Sequence, residues 1–337
     1  VNEKVTRSFV LNLLIPDIAV ERLQAELSPL KDRINCYLMH EGGKISLNGE
    51  AVNADAVDIH LGWFSHDVMF GSYSRDYAVR LLKSPNLKWV QSASAGLDNP
   101  LFAKLAAKGI RMTNSSAQAP AIAEYVLASV LERYQGFVER RQHQANKDWQ
   151  DNHFKELFNS NWMVIGYGNI GRRVGTRAKA FEANVIGVKR HKAEAPGADS
   201  IITYDEVLAA LPDQDVVVLA CALTDDTRDM VNETFLRAMK RDAVLVNIGR
   251  GDLVDETALL KTLDSDGIDY AVLDVFHTEP LPNDSPFWNH PRVLVTPHSS
   301  NRGTGTHSRG DTLFISNLQR FANDEPLINE VDTAELM

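Results

Sequence analysis

With 337 residues, the chain is long enough for two domains at roughly 150 residues each. Lysine and arginine total 35 against 45 aspartate and glutamate, a formal net charge of −10, which argues against a nucleic-acid or anionic-membrane surface as the main partner. Hydrophobic residues at 44% supply a sizeable core, and the two cysteines, Cys36 and Cys221, cannot build a disulfide framework, so a reducing compartment, the cytoplasm, is expected.

The first apolar run, residues 9–15, is interrupted by Asn12 and ended by Pro16. It is too short for a signal peptide or a membrane span and reads as a buried strand. Further strands are expected at 57–61, 87–92 and 110–113, with a helix at 18–27 giving the βα alternation of a parallel sheet. Glu41-Gly42-Gly43-Lys44 reads as a loop. From Ala119 to Trp149, Ile122, Val126, Val130, Tyr134, Phe137 and Val138 recur at helical spacing. One helix of that length reaches roughly 45 Å, enough either to bridge two domains or to serve as a core helix of one. A second series of strands follows at 162–166, 185–188, 216–220, 243–248, 270–275 and 293–296, the pattern of a doubly wound parallel sheet. A last helix at 312–321 is expected to return to the first domain. The domain boundary is therefore discontinuous: 1–115 with 305–337, and 116–304.

Gly166-Tyr167-Gly168-Asn169-Ile170-Gly171 fits G-x-G-x-x-G. The pattern follows the strand at 162–166 and opens a helix at 172–181, the context in which glycines admit a pyrophosphate to a helix N-terminus. An NAD site ordinarily ends its second strand in Asp or Glu, which accepts the ribose 2′-hydroxyl. Here that strand ends in Lys189-Arg190-His191-Lys192, with no carboxylate until Glu194. The basic turn is read as a pocket for a 2′-phosphate built by Lys189, Arg190 and Lys192, so NADP(H) is expected over NAD(H).

Three later segments place a polar residue just past a strand end, where α/β sheets hold ligands. These are Asn247-Ile248-Gly249-Arg250-Gly251, Asp274-Val275-Phe276-His277-Thr278-Glu279-Pro280 and Thr296-Pro297-His298. Arg250 can fork two N–H groups onto a carboxylate. His298 can protonate a developing alkoxide, and Glu279 on its other nitrogen would orient it. Together they supply what reduction of a 2-keto acid requires. No His, Cys or Asp cluster has metal-ligand spacing, so no metal is expected.

These motifs resemble the D-isomer-specific 2-hydroxyacid dehydrogenase family, most strongly over residues 161–298. Gln91-Ser92-Ala93-Ser94-Ala95-Gly96-Leu97-Asp98 resembles the family's substrate loop, which implies that Ser94, Ala95 and Gly96 hold the substrate carboxylate with Arg250. Ile122-Ala123-Glu124-Tyr125 resembles the start of its interdomain helix. Leu223-Thr224-Asp225-Asp226-Thr227-Arg228 resembles the loop along the cofactor, with Ala222 where a proline is common. The resemblance implies Arg250, Glu279 and His298 as the catalytic set. It implies a cofactor site of Gly166, Gly168, Asn169, Ile170, Gly171, Lys189, Arg190, Lys192, Ala222, Leu223, Thr227, Ile248, Gly249 and Asp274, the last contacting the nicotinamide amide. It further implies an α/β fold of two doubly wound parallel-sheet domains, a Rossmann dinucleotide-binding domain and a smaller flavodoxin-like substrate domain. The expected partners are a small 2-keto or 2-hydroxy acid of glyoxylate or hydroxypyruvate type and a second copy in a homodimer, with neither nucleic acid nor membrane. Trp63 and Phe64 are expected to help shape the substrate pocket. The alternative reading is a dimeric NAD(P)-binding adaptor, like the corepressors that share this fold, without significant turnover. After His298 the family continues with small apolar residues, whereas Ser299-Ser300-Asn301-Arg302 follow here.

Overall fold

Short aliphatic runs separated by amphipathic helices can bury both faces of each strand only inside a parallel sheet. The computed structural model, which describes residues 10–333, builds two such sheets in two compact units, residues 10–118 with 304–333 and residues 119–303.

The first unit contains β1 (Leu11–Pro16), β2 (Ile34–Met39), β3 (Ile45–Leu47), β4 (Glu50–Val52), β5 (Leu61–Phe64), β6 (Trp89–Ser92) and β7 (Arg111–Thr113). Their order is β4-β3-β2-β1-β5-β6-β7. The five strands β2-β1-β5-β6-β7 are parallel in the flavodoxin-like 2-1-3-4-5 order, and β3 and β4 add an antiparallel hairpin at one edge. Alternate residues feed two cores: Leu13, Ile15, Trp63 and Trp89 on one face, Leu14, Phe64 and Val90 on the other. The helix Thr306–Ala322 covers the first face with Phe314, Ile315 and Leu318, and Phe314 stacks on Trp63 at 4.8 Å.

Trp63 and Phe64 are therefore core residues of β5, not walls of a pocket. The strand expected at 57–61 lies at Leu61–Phe64 instead. Val57 and Ile59 are buried with the strand period, but side chains take part of the lead-in's hydrogen bonding: Arg80 donates to the Val57 carbonyl and Asn12 to that of Asp58. Phe9, placed in the first strand by the sequence, lies outside the described residues.

The second unit contains β8 (Asn161–Ile165), β9 (Asn184–Val188), β10 (Ser200–Ile202), β11 (Val216–Leu219), β12 (Val244–Asn247), β13 (Tyr270–Leu273) and β14 (Val293–Val295). All are parallel, in the order β10-β9-β8-β11-β12-β13-β14. This is the dinucleotide-binding 3-2-1-4-5-6 arrangement with one further strand. Met163 and Ile165 face one core, Trp162 and Val164 the other.

The expected single helix over 119–149 is two helices, Ala119–Gln135 and Phe137–Asn146. Gly136 breaks it at φ +62°, a left-handed conformation that glycine adopts without the Cβ penalty. The first helix lays Ile122, Val126, Val130 and Tyr134 into the core shared with Val174 and Ala178 of the helix Asn169–Ala180. Past the break Phe137 and Val138 are exposed, and Trp149 lies beyond both helices at 99% exposure. Their apolar spacing continues the helical pattern in sequence but not in space.

Candidate active site

The glycine motif leaves the end of β8. Gly166 turns the chain at φ +91°, and a Cβ there would overlap the backbone of Ala220 and Cys221. Gly171 sits against the Gly166 carbonyl, a close helix–strand approach. Gly168 differs, because nothing lies within 4 Å of where its Cβ would stand. Packing does not demand glycine there, whereas a ligand lying on the turn does. Gly168 is also the N-cap of the helix Asn169–Ala180, whose first turn carries neither a side-chain cap nor an acidic residue. Its positive dipole end is thus uncompensated by any carboxylate of its own first turn.

A groove of about 700 Å³ runs over this turn, with Gly166, Gly168, Asn169, Lys189, Arg190 and Ala222 among its walls. A side-chain-free approach, a helix N-terminus and cations at the end of β9 fit a dinucleotide phosphate. Arg172, Tyr204 and Cys221 also line the groove and were missed from sequence. Arg172 follows the third motif glycine directly, a signal that could have found it. Lys192 is not among the lining residues: its Nζ pairs with Glu206 Oε1 at 2.7 Å. Lys192 and the Thr203 N–H and hydroxyl hold the Glu206 carboxyl down at about 2. The second-strand turn therefore has a carboxylate nearby, brought from the turn after β10.

Other expected cofactor residues are structural neighbours of the groove. Thr227 Oγ1 donates to the Ala222 carbonyl at 2.9 Å and accepts from the Thr224 N–H at 2.8 Å, which shapes the 222–227 loop. Leu223 and Ile170 pack on the two cores, and Ile248 is buried.

The catalytic candidates follow three adjacent strands in register, Asn247 beside Leu273 and Leu273 beside Val295. Arg250 lies three residues past β12. Buried Asn247 braces its loop, donating from Nδ2 to the Arg250 carbonyl at 2.8 Å and accepting from the Gly249 N–H at 3.1 Å. The half-buried Arg250 guanidinium donates to the Gly249 carbonyl at 2.7 Å. Past β13, Glu279 accepts from the Phe276 N–H through Oε1 at 3.1 Å, while Oε2 meets His298 Nδ1 at 2.8 Å. That contact fixes the imidazole so that Nε2 is the nitrogen left for chemistry. Their side chains are 43% and 37% exposed, within reach of a small substrate. His298 has φ +48°, a left-handed conformation costing a non-glycine residue about 1–3 kcal/mol. Asp274 is fully buried, and its carboxylate accepts from Thr296 Oγ1 and from the N–H groups of Ser299 and Ser300.

In the first unit, the loop after β6 turns its carbonyls inward. The Ser94 carbonyl accepts from the Ser115 N–H at 2.8 Å, that of Ala95 from Asn114 Nδ2 at 2.8 Å and that of Gly96 from Ser94 Oγ at 2.5 Å. The Ser94 N–H is engaged as well, donating to Ser92 Oγ at 3.1 Å, so the amides of Ala95 and Gly96 are the ones suited to meet a carboxylate.

The model of the D-isomer specific 2-hydroxyacid dehydrogenase NAD-binding domain matches residues 127–300. The glyoxylate reductase of Pyrococcus horikoshii is 30% identical over 252 residues, 72% of this chain and 75% of that protein. The D-3-phosphoglycerate dehydrogenase of Methanocaldococcus jannaschii is also 30% identical, over 74% of this chain and 48% of that longer protein. Among solved structures, a D-isomer specific 2-hydroxyacid dehydrogenase from Xanthobacter autotrophicus, in complex with NADPH and MES, superimposes with a TM-score of 0.76 at 25% identity, covering 98% of this chain and 100% of its own. The chain belongs to the D-isomer specific 2-hydroxyacid dehydrogenase family. It is an NAD(P)-dependent oxidoreductase with two parallel-sheet α/β domains. No helix among the described residues is long and apolar enough to cross a membrane.

Proposed function

We propose that the protein reduces a small 2-keto acid of glyoxylate or hydroxypyruvate type to the D-2-hydroxy acid, and catalyses the reverse oxidation, with NADPH favoured over NADH. The observation that carries this reading is the His298–Glu279 pair past the ends of β14 and β13, with Arg250 past the neighbouring β12.

The bound nicotinamide dinucleotide supplies the hydride. Gly168 and the first turn of the helix Asn169–Ala180 would hold its pyrophosphate, and Lys189 and Arg190 would meet the 2′-phosphate. Arg250 grips the substrate carboxylate in a bidentate fork and polarises the adjacent carbonyl. His298 delivers a proton from Nε2 to the carbonyl oxygen as the carbon gains hydride, giving the alcohol. Glu279 holds Nδ1 and so keeps Nε2 as the nitrogen that transfers the proton. In oxidation the same nitrogen takes the proton back.

For cofactor choice, the support is the pair Lys189 and Arg190 on the groove and the NADPH-bound relative from Xanthobacter autotrophicus. For self-association, it is the run of exposed Phe137, Val138, Trp149, Phe154 and Phe158 on the second unit, and light scattering of a micromolar solution is expected to give a dimer mass. A panel of 2-keto acids, each run with NADPH and with NADH, tests the main reading. Oxidation of NADPH dependent on glyoxylate or hydroxypyruvate is expected. No turnover with any small acid overturns the reading in favour of a cofactor-binding adaptor.

A further inference from the structure

His298 is held by more than Glu279. A left-handed non-glycine residue persists only where its surroundings over-determine it. Here they do: the His298 N–H donates to the Asp274 carbonyl at 2.8 Å and to that of Thr296 at 3.0 Å. The next two N–H groups, of Ser299 and Ser300, donate to the Asp274 carboxylate at 2.9 Å and 3.1 Å. One buried aspartate thus fixes three consecutive residues of the catalytic loop.

Asp274 is itself held by a side chain. Thr296 Oγ1 donates to its Oδ1 at 2.6 Å. A hydroxyl has one proton, so having given it to Asp274, Thr296 can only accept from the Tyr125 hydroxyl 2.7 Å away. Burial pushes the Tyr125 phenol up to about 12, which keeps its proton on the oxygen across the neutral range. Tyr125 lies on the helix Ala119–Gln135 and Thr296 one residue past β14, so the chain of donors ties that helix to the catalytic loop.

We propose that Tyr125 and Thr296 are positioning residues for the reaction, acting through the donor chain Tyr125 to Thr296 to Asp274, which sets the backbone of residues 298–300 and so the aim of the His298 imidazole. The proposal rests on the reading of His298 as proton donor. It also gives Ser299 and Ser300 a role: their backbone N–H groups, not their side chains, are what Asp274 grips. If Tyr125 and Thr296 only filled space, phenylalanine and valine would serve equally, since each matches its partner in shape and lacks only the hydroxyl proton donor.

The test compares wild type, Tyr125→Phe, Thr296→Val, Thr296→Ser and His298→Ala. Steady-state rates are taken with NADPH and glyoxylate or hydroxypyruvate, whichever is reduced faster, and NADPH affinity by fluorescence titration. Tyr125→Phe and Thr296→Val should each lower kcat roughly tenfold, within the ~10²-fold cost of ångström-scale misplacement. KM and the NADPH Kd should stay within about twofold of wild type, and Thr296→Ser, which keeps the hydroxyl, should recover kcat. The imidazole ¹⁵N resonances of His298, assigned by their loss in His298→Ala, should shift in Tyr125→Phe and Thr296→Val and return in Thr296→Ser, with no substrate present. Wild-type kcat or unshifted resonances in Tyr125→Phe and Thr296→Val overturn the proposal, as does failure of Thr296→Ser to rescue, or a loss that falls on NADPH affinity. Undiminished kcat in His298→Ala overturns instead the proton-donor reading beneath it.

Discussion

Replacing Gly168 by alanine should separate cofactor binding from folding. The added methyl meets nothing within 4 Å, so it crowds no protein atom. Lower unfolded-state entropy contributes about 0.4–1 kcal/mol in alanine's favour, so Tm should move by no more than about 4 °C. Binding is another matter, because the methyl stands where the pyrophosphate has to lie. Losing two charge-assisted contacts at about 1.5–3 kcal/mol each should raise the NADPH Kd by roughly 10²-fold or more. Gly166→Ala should do the reverse. Its φ of +91° and the overlap with Ala220 and Cys221 cost about 1–3 kcal/mol each, so the fold itself loses several kcal/mol. Thermal melts and fluorescence titration with NADPH measure both effects. Wild-type NADPH affinity in Gly168→Ala, or a melting loss equal to that of Gly166→Ala, would refute the reasoning.

His298→Ala should cut kcat by about 10²–10⁴-fold while leaving the NADPH Kd unchanged, and stopped-assay rates with a saturating keto acid check it. Arg190→Asp should lower kcat/KM with NADPH by roughly 10²-fold and with NADH far less, whereas Lys192→Ala, which removes a side chain already paired to Glu206, should change the ratio by less than about threefold; equal effects would place both cations on the cofactor. Asp215 is buried, which works against its charge, but Lys240 at 2.6 Å, the Asn161 N–H at 2.7 Å and Lys155 outweigh that and lower its pKa below 3.8. A depressed carboxylate stabilises the fold above its unfolded value and loses that contribution as pH falls through the folded one. Asp215→Asn should therefore cost about 2–4 kcal/mol at pH 7, and its melting deficit should shrink below pH 3.8; a deficit constant with pH would refute this.

What could be read from sequence follows the range of the signals. The strands of the second unit, except β10, were placed to within a residue or two, because each is an aliphatic run, fully buried in β11 and β12 and half-buried at the edge in β14. The strand β10 is three residues long, and the hairpin β3–β4 is likewise two three-residue strands at an edge, too short to show a period. Gly136 fell within an apolar pattern that Phe137 and Val138 continue, and only the left-handed backbone shows that the pattern crosses a break. Arg250, Glu279 and His298 were legible because each stands past a strand end, in a loop that strand geometry aims. Tyr125 and Thr296 were not, since they lie 171 positions apart and the groups they help fix are backbone amides. The Lys192–Glu206 pair escaped for the same reason: its carboxylate comes from the turn after the neighbouring strand, and counting charges along one turn cannot see it.

On the proposed reading, Arg250, Glu279 and His298 act on the carboxylate and carbonyl that every 2-keto acid shares, so they would set the reaction and not the substrate. Relatives of equal identity to this chain accordingly carry different substrate names, glyoxylate in one and 3-phosphoglycerate in the other. Discrimination requires contacts to the group on the third carbon, and its size reveals their chemistry. Apolar contact with one extra methylene is worth about 1–3 kcal/mol, or 10–200-fold in kcat/KM. A protein group paired with a substrate hydroxyl is worth far more, about 10⁴-fold, because the analogue without the hydroxyl leaves that group buried and unsatisfied. Hydroxypyruvate and pyruvate differ only in that hydroxyl. If the pocket is built for hydroxypyruvate, their kcat/KM ratio should exceed about 10³; if it is built for glyoxylate, which has no third carbon, the ratio should stay below about 10 and glyoxylate should outrun both. A ratio below 10 with glyoxylate slower than pyruvate would refute both halves of the substrate assignment at once.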